Sequence, residues 1–122
     1  MAWIMFDVIF YVDRHGREPV GSYIDELVAR NDKDSRIRLH KIRDYINYLQ
    51  KQGKRAGEPY IKHVDGEIWE LRPTNDRIFF AAWDKDCFVL LHHIVKKTQK
   101  TPRKEIDKAK RNLSDFRERM KR

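Results

Sequence analysis

The sequence predicts a single α+β domain in which helices pack against a sheet. An alternating apolar stretch comes first, followed by two amphipathic helical patterns. Four short apolar runs separated by turn signals then occupy residues 60–95, and a charged amphipathic stretch follows them. The 122 residues match one domain, 1–122. The expected order is β-α-α-β-β-β-β-α: an N-terminal strand, a helix hairpin, an antiparallel β-meander and a C-terminal helix.

The first half of the chain predicts one strand and two helices. Apolar residues alternate over 3–13, which is typical of a strand with one fully apolar face. Pro19 suits the first position of a helix that should run to about Arg30. A second amphipathic helix is expected over 35–52, and Gly53 is a suitable stop. The two helices should pack as a hairpin against the sheet.

The second half predicts four strands and a final helix. Asp65 and Gly66 form a strong hairpin signal between the first two strands. The last strand is apolar on both faces, which indicates a central position in the sheet. Thr101 is the expected N-cap of the final helix, with Pro102 at its first position. The four strands are expected at 60–64, 68–72, 77–83 and 87–95.

The net charge of +8 is concentrated near the C-terminus. Residues 96–122 hold 12 basic and four acidic side chains, whereas the preceding 95 residues carry 15 of each. Such a patch attracts polyanions, most often nucleic acid, although it also fits a charged helix that only aids solubility.

Several functional classes are disfavoured by the sequence. Cys87 is the only cysteine, so no disulfide can form within the chain, and its apolar setting disfavours a nucleophilic thiolate. There is no Gly-rich phosphate loop, and adjacent His92 and His93 diverge on a strand, so a zinc site is not expected. The apolar N-terminus is interrupted by Asp7, lacks a basic leader and is too short to span a bilayer, so we expect a cytoplasmic, soluble protein.

Arg72 and Arg77 are the first candidates for chemistry. Strand alternation places Glu70 and Arg72 opposite the face that carries Trp69, and a tight hairpin would bring Arg77 close to Arg72. Two guanidinium groups on an open sheet face would form a phosphate clamp. The alternative is a surface pair of Arg72 with Glu70, with Arg77 as an edge charge.

Other basic residues could extend this patch. Lys62 lies on the preceding strand, and Lys96, Lys97 and Lys100 follow the central strand directly. These lysines could neutralise a transferring phosphoryl group, or they could simply form a solvated loop. His92 could shuttle a proton near neutral pH, although a strand histidine is more often structural.

Three segments carry a family resemblance. They read WELRP at 69–73, RIFF at 77–80 and VLLHHIVKKTQKTP at 89–102. This pattern resembles the RelE superfamily of toxins, and it is most similar to the HigB branch, which includes phage-derived relatives. The order and length of the N-terminal strand and helix hairpin also fit that family.

The resemblance implies a RelE-like fold and a toxin of a type II toxin–antitoxin system. Such toxins cleave mRNA on the translating ribosome and are neutralised by a helix-turn-helix antitoxin, here HigA-like, in a hetero-oligomer. No metal or cofactor is implied, because the RNA 2′-hydroxyl attacks the adjacent phosphate to leave a cyclic phosphate and a 5′-hydroxyl. Arg72 and Arg77 correspond to phosphate ligands, while Lys62, Lys96 or Lys97 are candidates for proton transfer or charge stabilisation. A lysine among arginines should have a lowered pKa.

Further residues are assigned less directly. His92 joins the catalytic candidates. Two departures from the family pattern leave the acid and base open: His93 stands where relatives often have glycine, and no tyrosine follows Tyr60. Phe79 could stack a nucleobase on the open face, or it could cover a second small core. The expected RNA-binding residues are Phe79, Lys97, Lys100, Arg103 and Lys104.

Two other functions fit the same sequence. A non-catalytic nucleic-acid-binding or regulatory module derived from the toxin fold would share the basic C-terminal segment but would need no converging arginines. A purely protein-binding domain would use the basic final helix to bind an acidic partner.

Overall fold

The computed structural model describes residues 5–121 and contains the elements in the predicted order. This confirms the α+β class, with an N-terminal strand, a helix hairpin, a sheet and a C-terminal helix. Within these residues, no helix is both long and apolar enough to cross a lipid bilayer. The strands are β1 Asp7–Phe10, β2 Ile61–Asp65, β3 Ile68–Leu71, β4 Asp76–Ala82 and β5 Cys87–Val95, and the helices are α1 Pro19–Arg30, α2 Lys33–Gln52 and α3 Arg103–Met120.

The five strands form one mixed sheet in the order β1-β5-β4-β3-β2. Strands β2 to β5 make the predicted antiparallel meander. Strand β1 instead joins β5 in parallel, with Asp7 beside Cys87 and Phe10 beside Leu90. Strand β5 therefore lies inside the sheet, as its apolar pattern predicts. The N-terminal strand is shorter than the predicted span 3–13, of which residues 3 and 4 lie outside the described part.

The first face of the sheet is covered by α1 and α2, as their apolar stripes predict. Each helix buries the stripe that its periodicity defines, and the sheet contributes the alternating residues of β3 and β4. This core is apolar and forms the larger of the two clusters around the sheet. Its fully buried members include Leu27, Ile42, Leu49, Leu71, Ile78 and Phe80.

The second face of the sheet is also covered, so the expectation of an open face is wrong over most of the sheet. Helix α3 packs its narrow apolar seam against this face and forms a second core. Ala109, Leu113 and Phe116 from the helix meet Phe79 and Val89 from the sheet. A narrow seam is sufficient to hold α3 on the sheet because both surfaces are apolar and lose water on contact.

The helix ends show which local signals decide the boundaries. Asp32 caps α2, since its carboxylate accepts a hydrogen bond from the Ser35 amide at 2.8 Å. Gly53 ends α2 with a φ of 59°, and a Cβ atom there would meet the Phe6 ring at 2.7 Å. The predicted Thr101 cap of α3 is wrong: Pro102 itself occupies the N-cap position, with no side-chain cap. Proline is compatible with the N-cap position because its fixed φ suits the turn before the helix.

Candidate active site

A basic cleft lies between β2, the β3–β4 turn and the loop that follows β5. Its volume is about 620 Å³, and its walls are polar. Five lysines and arginines line it, with no carboxylate among the lining residues. The cleft is therefore suited to an anion rather than to an apolar ligand. It is lined by Lys62, Arg72, Asn75, Arg77, Lys96, Lys97, Thr98 and Gln99.

The β3–β4 hairpin brings Arg72 and Arg77 together as predicted. Arg72 directly follows β3, and Arg77 is the second residue of β4. The Nη1 atom of Arg77 donates hydrogen bonds to the carbonyl oxygens of Thr74, at 2.7 Å, and Asp76, at 2.8 Å. These bonds fix the guanidinium against its own turn. Arg77 is only 8% exposed and still lines the cleft, so its guanidinium is presented to the cleft from a nearly buried position.

Glu70 lies beneath both arginines, and the sequence reasoning missed its importance. Its carboxylate Oε2 is 3.3 Å from Arg72 Nε and 3.7 Å from Arg77 Nε. The alternative pairing of Arg72 with Glu70 is thus present, but it is buried, since Glu70 is 3% exposed. The acid allows two guanidinium groups to approach each other, because it offsets their repulsion. Burial, and then the charge of Arg72, lowers the pKa of Arg77.

Lys96 lies beside the other cations of the cleft and has a lowered pKa. Its backbone amide donates to the Asn75 carbonyl at 2.8 Å, which places the residue beside the hairpin turn. Its pKa is lowered, first by burial and then by the charges of Arg77, Arg72 and Lys62, whereas Glu70 opposes the shift. The expectation that neighbouring cations lower a lysine pKa is confirmed in direction for Lys96, although burial is the larger cause.

The basic loop after β5 contributes part of the predicted RNA-binding set. Lys97 lines the basic cleft, and Lys100 lines a separate hollow of about 230 Å³ that shares Lys62 and Lys96 with it. Arg103 is engaged elsewhere, since its guanidinium contacts Asp65 at 2.7 Å and Asp107 at 3.2 Å. Lys104 is exposed on α3 and lines neither hollow. The sequence alone does not distinguish Lys97 and Lys100, which line the hollows, from Arg103 and Lys104, which do not. All four residues lie in one basic run.

Phe79 and His92 lie in the second core rather than in the cleft. Phe79 is fully buried under α3 and stacks on the His92 ring at 5.8 Å, so its role as a base-stacking surface is wrong and the second-core alternative is confirmed. His92 Nε2 is 2.7 Å from Glu105 Oε1 on α3. Burial lowers the pKa of His92, and the residue does not line the cleft. These contacts fit a structural role for His92.

A buried polar cluster supports the hairpin from the opposite face. Asp76 is 1% exposed, and its Oδ1 accepts hydrogen bonds from Tyr23 Oη and His93 Nε2, both at 2.9 Å. The His93 ring also stacks on Tyr23 at 3.6 Å, and Arg38 donates to the Tyr23 hydroxyl at 3.2 Å. Asp76 precedes Arg77, so the cluster anchors the turn that holds the arginine. The two adjacent histidines therefore diverge as predicted, each into a separate core.

The remaining sequence expectations concern sulfur and metal chemistry. Cys87 is half-buried at the start of β5, and burial raises the pKa of its thiol, which agrees with the expected direction. Among residues 5–121, no group of three or more histidine, cysteine or acidic side chains could hold a metal ion.

The α+β sheet, flanked by a helix hairpin and a C-terminal helix, is consistent with the RelE-like fold of the RelE/ParE-like toxin superfamily. Residues 24–114 match the family model described as phage derived protein Gp49-like (DUF891). The chain belongs to this Gp49-like family, which is part of that superfamily. A comparison with curated proteins found no match.

Proposed function

We propose that this protein is the HigB-like toxin of a type II toxin–antitoxin system and cleaves mRNA on the ribosome without a metal. The single observation that supports this most strongly is the basic cleft, where Arg72 and Arg77 converge beside Lys96. Membership of the Gp49-like family supports the toxin class. A helix-turn-helix, HigA-like antitoxin would be the partner that holds the activity in check.

The cleft contains groups for each requirement of the cleavage. The RNA 2′-hydroxyl attacks the adjacent phosphorus, so its proton must leave as the new P–O bond forms and the bond to the 5′-oxygen breaks. The neutral amine of Lys96, favoured by its lowered pKa, would accept that proton. Arg72 and Arg77 would stabilise the crowded phosphorane, and Lys62 or Lys97 would protonate the departing 5′-oxygen. The products are a cyclic phosphate and a 5′-hydroxyl.

The test is induced expression without antitoxin, combined with mapping of new RNA 5′ ends. The wild-type chain should arrest growth and produce cuts within translated codons. Arg77→Ala and, separately, Lys96→Gln should relieve the arrest and reduce cleavage by roughly 10²–10³-fold, since each removes one group that stabilises the transition state. Arg111→Ala is the matched control, because Arg111 is exposed on α3 and lines none of the hollows around the cleft.

The outcome separates this proposal from the non-catalytic alternative. Growth arrest without new 5′ ends would favour a module that binds RNA or protein but does not cut. Full toxicity of folded Arg77→Ala and Lys96→Gln variants would refute the assigned roles. Circular dichroism of each purified variant shows whether the fold is retained, which matters for Arg77 because it is nearly buried.

A further inference from the structure

A second, chemically different cleft adjoins the candidate active site on its α2 side. We name it the α2 cleft, and its volume is about 340 Å³. It shares Arg72 and Arg77 with the basic cleft, so the two arginines border both hollows. Any chain that lies across the arginines would enter both. The α2 cleft is lined by Lys41, Tyr45, Pro59, Arg72, Thr74 and Arg77.

The two clefts differ in what they can bind. The basic cleft presents charged and hydrophilic side chains, which suit phosphate oxygens. The α2 cleft adds an aromatic ring from Tyr45 and the apolar ring of Pro59. Aromatic rings beside cationic groups are how proteins bind single-stranded nucleic acid, because every base has a face that stacks.

Tyr45 is held in place by its neighbours. Its ring packs on Tyr60 with the centroids 5.1 Å apart, and Tyr60 in turn packs on Tyr48 at 4.3 Å. Tyr45 is half-buried, so one part of the ring is supported while another part lines the cleft. Lys41 lies one helical turn before Tyr45 and is exposed on the same face of α2. A ring and a cation are thus presented together.

We infer that the α2 cleft binds one nucleoside of single-stranded RNA next to the cleaved phosphate. The base stacks on Tyr45, and Lys41 contacts the phosphate on the far side of that nucleoside. Arg72 and Arg77 hold the cleaved phosphate between the two clefts. This inference depends on the proposed function for the identity of the ligand, but it assigns residues on α2 that the cleavage mechanism does not use.

The test measures binding of an RNA that cannot be cleaved. The probe is a short single-stranded oligonucleotide with 2′-O-methyl groups throughout, which removes the attacking hydroxyl, and with one 2-aminopurine base. Tyr45→Leu in the full chain should weaken binding by about 5- to 150-fold and should abolish quenching of the 2-aminopurine, because stacking is lost. Tyr45→Phe should keep both. Tyr48→Leu is the matched control, since it removes a ring from the same cluster but does not line the cleft.

The contribution of the Lys41 charge to RNA binding is tested separately, with a control of its own. Lys41→Gln should lower the slope of log affinity against log salt by about 0.7, the value for one phosphate contact to a single strand. Lys51→Gln, at an exposed position near the end of α2, should leave the slope unchanged. Both variants keep a side chain of similar length and replace only the charge.

Three results would overturn the inference. One is equal loss of affinity in Tyr45→Leu and Tyr48→Leu, and another is no loss in either. The third is photo-crosslinking of 4-thiouridine RNA to the wild-type chain only outside the α2 cleft, which tests the idea even if Tyr45→Leu fails to fold. The probe is never cleaved, so this test measures binding alone. Absence of RNA cleavage would refute the proposed function, whereas binding of RNA in the α2 cleft is supported or refuted only by the measurements above.

Discussion

Replacing Glu70 with glutamine should destabilise the fold while making the cleft more attractive to anions. Glu70→Gln preserves the shape of the side chain but removes the negative charge beneath Arg72 and Arg77. The carboxylate is 3.3 Å and 3.7 Å from their Nε atoms. At an effective dielectric constant of about 20, each contact corresponds to about 5 kcal/mol of gross attraction before desolvation is subtracted.

The net loss of folding stability in Glu70→Gln is smaller than the gross attraction of the two contacts, but it is still large. Removing one partner of a buried ion pair costs about 3–5 kcal/mol, because the other charge stays buried without compensation. Arg72 is partly exposed and keeps a second acid, Glu58, at 3.4 Å, so we expect Glu70→Gln to cost about 2–3 kcal/mol. Glu58→Gln is the control. The Glu58 side chain is 69% exposed, so this change should cost less than about 1 kcal/mol.

Urea unfolding measures the stability, and titration with inorganic phosphate measures the anion site. Glu70→Gln should lower the urea midpoint and tighten phosphate binding, since the positive potential of the cleft rises. Loss of Glu70 also removes the influence that raises the pKa of Lys96, so the rate of RNA cleavage should reach half its maximum at a lower pH. Equal stability of the Glu70→Gln and Glu58→Gln variants, with unchanged phosphate affinity, would refute this account of the cleft.

Three further substitutions test the two cores and the turn. Burial holds the pKa of His92 below its ordinary 6.5, so the unfolded chain gains this proton first and stability should fall as pH drops below about 6.5. His92→Gln should reduce that acid-dependent loss, seen as a smaller change in the urea midpoint between about pH 7.5 and about pH 5, while exposed His15→Gln should not. Asp76→Asn should cost about 1.5–3 kcal/mol in urea unfolding, because it weakens charged hydrogen bonds, among them the one from Tyr23. Phe79→Ala should cost about 3–5 kcal/mol by thermal unfolding, whereas a base-stacking side chain would leave stability nearly unchanged.

Local patterns in the sequence were enough to predict the elements and their order. Pro19 and Gly53 each mark a helix end through backbone geometry alone. The Asp65-Gly66 signal also predicts a hairpin, although its turn lies one residue later, at Gly66 and Glu67. The alternation in β3 and β4 also placed Arg72 and Arg77 correctly relative to each other. Such inferences succeed because they depend on the dihedral angles of a few adjacent residues.

Long-range packing could not be inferred in the same way. The pattern of β1 gives no sign that its partner is β5 in parallel, since alternation describes faces and not neighbours. Sequence periodicity does not show whether the narrow apolar seam of α3 packs on the sheet. In the structure it does, and Phe79 is therefore buried beneath the helix. Glu70 looked like one end of a surface pair because sequence alternation carries no information about depth.

The α2 side of the site shows the same limit. Tyr45 reads as one position in an apolar helical stripe, and it is indeed half-buried. Only the three-dimensional arrangement shows that its ring also reaches a hollow beside Arg72 and Arg77. A residue that serves both a core and a surface gives no separate signal in hydrophobic periodicity.

The parallel pairing of β1 with β5 affects when this protein can fold during its own synthesis. Strand β1 is made first, yet its only partner in the described sheet begins at Cys87. Helices α1 and α2 can form early, because their contacts are local, but the sheet they cover must wait for distant strands. Lys96 and Lys97 of the cleft come later still, just after β5. A nascent or truncated chain that stops before β5 therefore lacks both the complete sheet and the cleft, so the cleft can form only after most of the chain has been synthesised.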